Sequence, residues 1–281
     1  NIDVCPSGCT TTDLQAAFDG TSSPAAGCGD TITIKSASIP VGNFAIKSRG
    51  CALNPITVIT DRAAWLPGPY TRITPGDLPN LATISTNNNT PALSSLMVAG
   101  LPPEGWTFIG IAVTSTFSGN TYSLISLNEE LQAFVDVSAT GNAVTVCCGS
   151  GPTFTAEMVG GPITLDGQVY TVASYVDANN VTTVEAQTTR TQVYALVTAT
   201  TASQLPTNII FDRIMTYRAL PNSATKQVQN HIRANARALT IKNSYIGDGF
   251  LLGGGEGHGI ALTTSVGPIT LLNTHITAGG I

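Results

Sequence analysis

Short runs in which apolar and polar residues alternate recur through most of the chain. Thr31-Ile32-Thr33-Ile34, Pro55-Ile56-Thr57-Val58-Ile59 and Trp106-Thr107-Phe108-Ile109-Gly110-Ile111-Ala112-Val113 are the clearest. A period of two puts one set of side chains on each face of a strand, so each run predicts a strand with one buried face. Gly, Pro and Asn separate the runs and predict turns. One stretch has a different period. Leu14, Ala17 and Phe18 recur at helical spacing behind Thr12-Asp13-Leu14-Gln15, which has the form of a capping box. Gly20 then ends a single short helix.

The strand-like runs repeat. Ile209-Ile210-Phe211, Leu239-Thr240-Ile241 and Ile269-Thr270-Leu271 are 30 residues apart, and Asn243 aligns with Asn273 in the same frame. Gly259-Ile260-Ala261-Leu262 falls between the last two, and Ile32-Thr33-Ile34 lies 24 residues before Ile56-Thr57-Val58. Repeats of this length, each with two or three short strands, describe a solenoid. One repeat cannot bury its apolar side chains alone, whereas stacked repeats bury them in a continuous column. A recurring Asn at one turn would stack on its neighbour, and the N-terminal helix would cover the open end of the column. Residues 129–204 break the frame. Their strand-like runs at 144–146, 163–165, 169–172 and 181–184, with Asp166-Gly167 as a hairpin signal, predict a small inserted β domain. The expected organisation is 1–128 as cap and first repeats, 129–204 as the insertion and 205–281 as later repeats.

Asp13-Leu14-Gln15-Ala16-Ala17-Phe18, Gly29-Asp30-Thr31-Ile32-Thr33-Ile34 and Gly42-Asn43-Phe44 resemble the opening of proteins of the pectate-lyase-like superfamily. Asn208 to Arg213 and Leu239 to Ile246 are similar to its later repeats. The resemblance implies an all-β right-handed parallel β-helix with an N-terminal capping helix. It also implies one of several roles: lyase or hydrolase of polysaccharides, phage tailspike, adhesin or plain surface protein. Calcium-dependent lyases of this kind hold the ion with acids on neighbouring repeats. Here Asp212 aligns with Lys242 and Leu272, so no acidic ladder is seen and no cofactor is evident, with calcium left as the one open candidate.

Composition narrows the field. Of 281 residues only 10% are charged, against 42% hydrophobic, so the chain has the makings of a core and not of a disordered polymer. A net charge of -5 argues against general nucleic-acid affinity. No apolar run approaches the length of a membrane span. The chain opens at Asn1 without a basic or apolar leader pattern, which fits a removed leader or a trimmed segment. Six cysteines at 5, 9, 28, 51, 147 and 148 suit an oxidised, extracellular protein, with Cys5, Cys9, Cys28 and Cys51 as disulfide candidates. Buried free thiols are the other reading. A bridge between neighbours needs a strained ring, so Cys147 and Cys148 suggest separate partners or free thiols.

The cations are unevenly placed. Arg213, Arg218, Lys226, Arg233, Arg237 and Lys242 are half of the 12 in the chain. Together they suggest a groove for an anionic polysaccharide, with Arg213, Arg218 and Arg237 binding substrate. The other reading is a solvated face whose long side chains cover apolar surface. A lyase would draw its base from His231, Tyr217 or Arg233. A hydrolase would draw two carboxylates from Asp212, Asp248 and Glu256. His258 lies two residues from Glu256 in a Gly-rich turn, with no third ligand for a metal. Trp65 and Tyr70, in a Pro-rich loop, are candidates for stacking on sugar rings. Trp106 opens an alternating run and is expected in the core. The competing role is structural: a surface fibre, a tailspike shaft or a filament self-associating end to end. Ice binding would need a regular Thr array, and Thr33, Thr57 and Thr240 do not form an unbroken ladder in this frame.

Overall fold

Strands dominate the computed structural model, which describes residues 1–97, 101–127, 131–150, 154, 156–197, 205–220, 227–247, 257–262 and 265–277. Among the described residues the protein is all-β apart from one short α-helix and a few short 3-10 segments. It divides into two compact units, Asn1–Asn128 with Pro206–Ile281, and Glu129–Leu205.

The first unit holds three sheets. The first sheet runs through Ile2–Val4, Thr31–Ile34, Ile56–Thr60, Glu104–Ile109, Thr207–Asp212, Arg237–Lys242 and Val266–Leu272. The second orders Ala82–Thr86, Ile111–Ser115, Met215–Arg218, Tyr245–Ile246 and His275–Ile276. The third orders Phe44–Lys47, Leu93–Leu96, Thr121–Leu127, Val228–Ala234 and His258–Leu262. All pairings within them are parallel. From Ala82 onward the chain visits second, third and first sheet in a fixed cycle, interrupted only by the other unit. The 30-residue frame is the true register, since Ile209 pairs with Leu239 and Leu239 with Ile269. The 24-residue frame near the N-terminus is not: Ile32 pairs with Val58, two residues further on than the sequence alignment placed it.

Register puts like side chains in columns. Ile32, Val58, Phe108, Phe211 and Ile241 form one buried column, and Ile56, Trp106, Ile209 and Leu239 a second. Burying each such side chain contributes about 1.5–3 kcal/mol. The helix Leu14–Asp19 buries Leu14, Ala17 and Phe18, and the Phe18 ring meets Trp106 edge-on at 5.4 Å. Its N-cap is Asp13, not Thr12, because the Asp13 carboxylate accepts the Ala16 N–H at 3.1 Å. Gly20 ends it in the left-handed region, φ 65°. The run Trp106 to Val113, expected as one strand, is two strands in different sheets. Gly110, at φ 65°, makes the corner between them.

The second unit is a closed antiparallel barrel of six strands, ordered Leu131–Ser138, Ala143–Cys147, Asn180–Thr183, Gln168–Asp177, Pro162–Leu165 and Arg190–Val197. Val135, Val144, Ile163, Leu165, Val172, Val181 and Val193 are among the side chains that fill it. Asp166 and Gly167, φ 48° and 80°, make the two-residue hairpin. Disulfides join Cys5 to Cys9, Cys28 to Cys51, and the neighbours Cys147 and Cys148, for which separate partners or free thiols had been expected. Among the described residues no helix is long and apolar enough to cross a membrane.

Candidate functional site: a loop strapped across the repeats

After each of four strands of the first sheet the backbone turns through a left-handed residue: Gly110, Arg213, Asn243 and Asn273, at φ 65°, 53°, 53° and 47°. Asn tolerates this conformation, and its amide can satisfy neighbouring backbone groups. Asn273 Nδ2 donates to Asn243 Oδ1 at 3.0 Å, and Asn243 Nδ2 donates to Asp212 Oδ1 at 3.1 Å. The stacking expected for the two Asn therefore extends one repeat further, onto an acid.

The same side chains fasten the loop that follows Thr60. Arg213 Nη1 donates to the Pro67 carbonyl at 3.0 Å, Asn243 Nδ2 to Pro69 O at 2.7 Å, and Asn273 Nδ2 to Tyr70 O at 3.1 Å. The Ile73 N–H returns a bond to Asn243 O at 3.0 Å. Three successive repeats thus each hold one carbonyl of a Pro-rich strap. Beneath it Leu66, Ile73 and Leu81 pack against Ala112 and Met215.

This anchoring leaves two aromatic rings in solvent. Trp65 is 74% exposed and Tyr70 89% exposed. Trp65 lines a cavity of about 430 Å³ with Arg62 and Asn80. Arg62 Nη1 donates to Pro79 O at 3.1 Å, and Asn80 Nδ2 to Trp65 O at 3.4 Å. An indole face beside a guanidinium and an amide offers an apolar platform with hydrogen-bond groups at its edge. Such a constellation suits a polyhydroxylated ring with one apolar face.

Among the described residues the basic stretch does not form one groove. Arg213 is fixed by Pro67 O and by Asp212 Oδ2 at 3.2 Å. Asp212 is buried, and Lys242 Nζ approaches the same oxygen at 3.7 Å. Arg218 is also buried and donates to the carbonyls of Phe117 and Gly119 at 2.9 and 3.5 Å. Arg233 is buried, donates to the Tyr122 hydroxyl and lies 5.2 Å from the centre of its ring. His231 is buried, with Nδ1 sharing a hydrogen bond with Thr216 Oγ1 at 2.9 Å. Burial pulls its pKa down to about 4. Tyr217 is half-buried under the strap. Arg237 is exposed. His258 Nδ1 meets Asn230 Oδ1 at 3.1 Å. Trp106 is in the core. Asp248, Glu256 and Lys226 lie outside the described residues. Among the described residues one possible metal group appears, Asp136 with Cys147 and Cys148, and both of its sulfurs are in a disulfide.

Sequence reasoning picked out Trp65 and Tyr70 from their Pro-rich setting. It missed Arg62 and Asn80, which share the cavity of Trp65, Asn80 because the chain returns beside Trp65 at the end of the strap. In comparisons with known proteins no family model matches the chain, and no curated protein matches it.

Proposed function

We propose that the larger unit is a right-handed parallel β-helix related to the pectate-lyase-like proteins, and that the protein is an extracellular polysaccharide-binding protein. The winding is supported by the fixed cycle through three parallel sheets, and the hand by the strong preference of parallel crossovers for the right-handed sense. The extracellular setting is supported by three disulfides. The single observation that carries the binding function is the exposed Trp65 ring above the cavity shared with Arg62 and Asn80. A ring this large, left in water on a loop anchored at three repeats, is a preorganised platform. Sugar would stack on the indole while Arg62 and Asn80 donate to its hydroxyls. Binding is favoured over cleavage because Asp212, the one hydrolase candidate among the described residues, has its oxygens engaged by Arg213, Lys242 and Asn243.

The test is retention on immobilised polysaccharides, acidic and neutral, by the wild-type protein and by Trp65→Ala. Retention on at least one polysaccharide, lost in the variant with its melting temperature unchanged, is the expected result. No retention of the wild type across the panel overturns the reading.

A further inference from the structure

Register reveals an array that the linear sequence concealed. On the outer face of the first sheet, Thr31 pairs with Thr57, Thr57 with Thr107, Thr107 with Ile210, Ile210 with Thr240, and Thr240 with Thr270. The sequence frame had placed Thr33 beside Thr57 and so broke the row. All six side chains are β-branched, which restricts χ1 and holds each in much the same pose. Their backbone neighbours Ile32, Val58, Phe108, Phe211 and Ile241 are buried, so the row itself faces outward. None of the five hydroxyls has a hydrogen-bond partner among the described residues, and neither does the exposed amide of Asn208. Parallel strands set the rungs about 4.8 Å apart.

Three rungs of the row, Ile210, Thr240 and Thr270, line a groove of about 370 Å³ together with Ala52, Pro55, Asn208, Ala238 and Pro268, and Thr107, Thr57 and Thr31 continue the row beyond it. Gly105 takes the place between Pro55 and Asn208 and contributes no side chain. Among the described residues no charged one lines this groove. The uncharged lining disfavours an anionic polymer, whose carboxylates would lose water without gaining a cation. The row on its other side, Thr33, Ile59, Ile109, Asp212, Lys242 and Leu272, is uneven in size and charge. A flat lattice would therefore meet only one regular row, whereas a single extended chain needs no more than one. An equatorially linked pyranose advances its chain by about one strand spacing, so successive sugars would meet successive rungs, a hydroxyl at each Thr and an apolar contact at Ile210.

We infer that the threonine groove of the first sheet is a second carbohydrate site, taking a neutral, linear, equatorially linked polysaccharide along the stacking direction of the repeats. This rests on the carbohydrate-binding reading above and adds a separate surface with a defined substrate class. The experiment is calorimetric titration of the full chain with cellohexaose, and with hexagalacturonate as the acidic comparison. Three proteins are used: wild type, Trp65→Ala, and Thr240→Val with Thr270→Val, which keeps the branched shape and removes the two hydroxyls that line the groove. Cellohexaose bound by wild type and by Trp65→Ala, with affinity about tenfold lower in the double Val variant, is the expected result. Unchanged affinity in the double Val variant overturns the groove. If Trp65→Ala alone abolishes binding, the groove fails and the Trp65 reading stands. Preference of wild type for hexagalacturonate also overturns the inference. So does failure of wild type to bind cellohexaose; binding of other glycans on the retention panel would then still uphold the Trp65 site.

Discussion

At the scale of single residues, His231 gives the sharpest expectation. Its imidazole is buried against Thr216, and its pKa falls from an ordinary 6.5 to about 4 because burial penalises the cation. The folded protein therefore keeps His231 neutral between those values while the unfolded chain takes up a proton. Its contribution to stability is complete above pH 6.5 and is lost as pH falls towards 4, by at most about 3 kcal/mol. Thermal melts of wild type and His231→Gln from pH 7 to pH 4 check this: the variant loses part of the acid-side slope. Equal slopes would mean that the imidazole already titrates normally in the fold. Two glycines give a second expectation. Gly105 and Gly110 sit at φ 66° and 65°. A Cβ on Gly105 would run into the backbone carbonyl of Cys51, and one on Gly110 would meet Leu66 Cδ1 at 2.6 Å and Thr60 Cγ2 at 2.7 Å. Left-handed backbone alone costs about 1–2 kcal/mol for a side-chain-bearing residue. Gly105→Ala is expected to cost more than Gly110→Ala, since backbone cannot swing aside as the tip of a Leu can. Denaturant midpoints rank the two, and the opposite order would contradict the packing. Neither glycine announces its role in the sequence, because the atoms it must avoid come from other repeats.

At the scale of elements, the ladder and the strap depend on each other. Asn243 bonds Asp212, Asn273, Pro69 and, through its carbonyl, the Ile73 N–H. Asn243→Ala removes three side-chain bonds at a buried position, so a loss of about 2–4 kcal/mol is expected. Asn273→Ala, exposed and at the end of the described row, is expected to lose about 1 kcal/mol. The strap should also open more often in Asn243→Ala, so hydrogen exchange at Ile73 should quicken there relative to strand amides of the third sheet. Uniform quickening everywhere would indicate general destabilisation and not a released strap. The Asn pair was readable because two identical amides recur at the repeat distance. Its extension to Asp212 was hidden, because the partner is a different residue type one position earlier in its own repeat. Strand identity was readable wherever alternation met a turn signal. The break at Gly110 was not, because alternation continues across it while the chain changes sheet. In the barrel, Leu131–Ser138 and Arg190–Val197 went unread, although their side chains alternate between interior and surface and Gly141-Asn142 marks the turn after the first; no Gly, Pro or Asn flanks the second closely.

At the scale of the whole molecule, the insertion point follows from register. Thr121–Leu127 pairs in parallel with Val228–Ala234, and Glu104–Ile109 with Thr207–Asp212, as though the intervening chain were absent. Glu129–Leu205 therefore occupies one connection from a third-sheet strand to the next first-sheet strand. In the following repeat the same connection needs only Asn235 and Ala236 between Ala234 and Arg237. Each unit also has its own buried apolar cluster. Replacing 129–204 by a short Gly-containing linker should leave the three-sheet unit folded, with a single thermal transition near its value in the full chain. The segment 129–205 expressed alone should melt cooperatively as an antiparallel barrel, since all six of its strands pair among themselves. Near-ultraviolet circular dichroism of the shortened chain, which retains Trp65 and Trp106, reports whether native packing survives. Loss of that signal would mean that the barrel's folding is needed to bring Leu127 and Thr207 into place. The shortened chain should also keep whatever glycan binding the full chain has, because Trp65, Arg62, Asn80 and the threonine row all lie in the unit that remains.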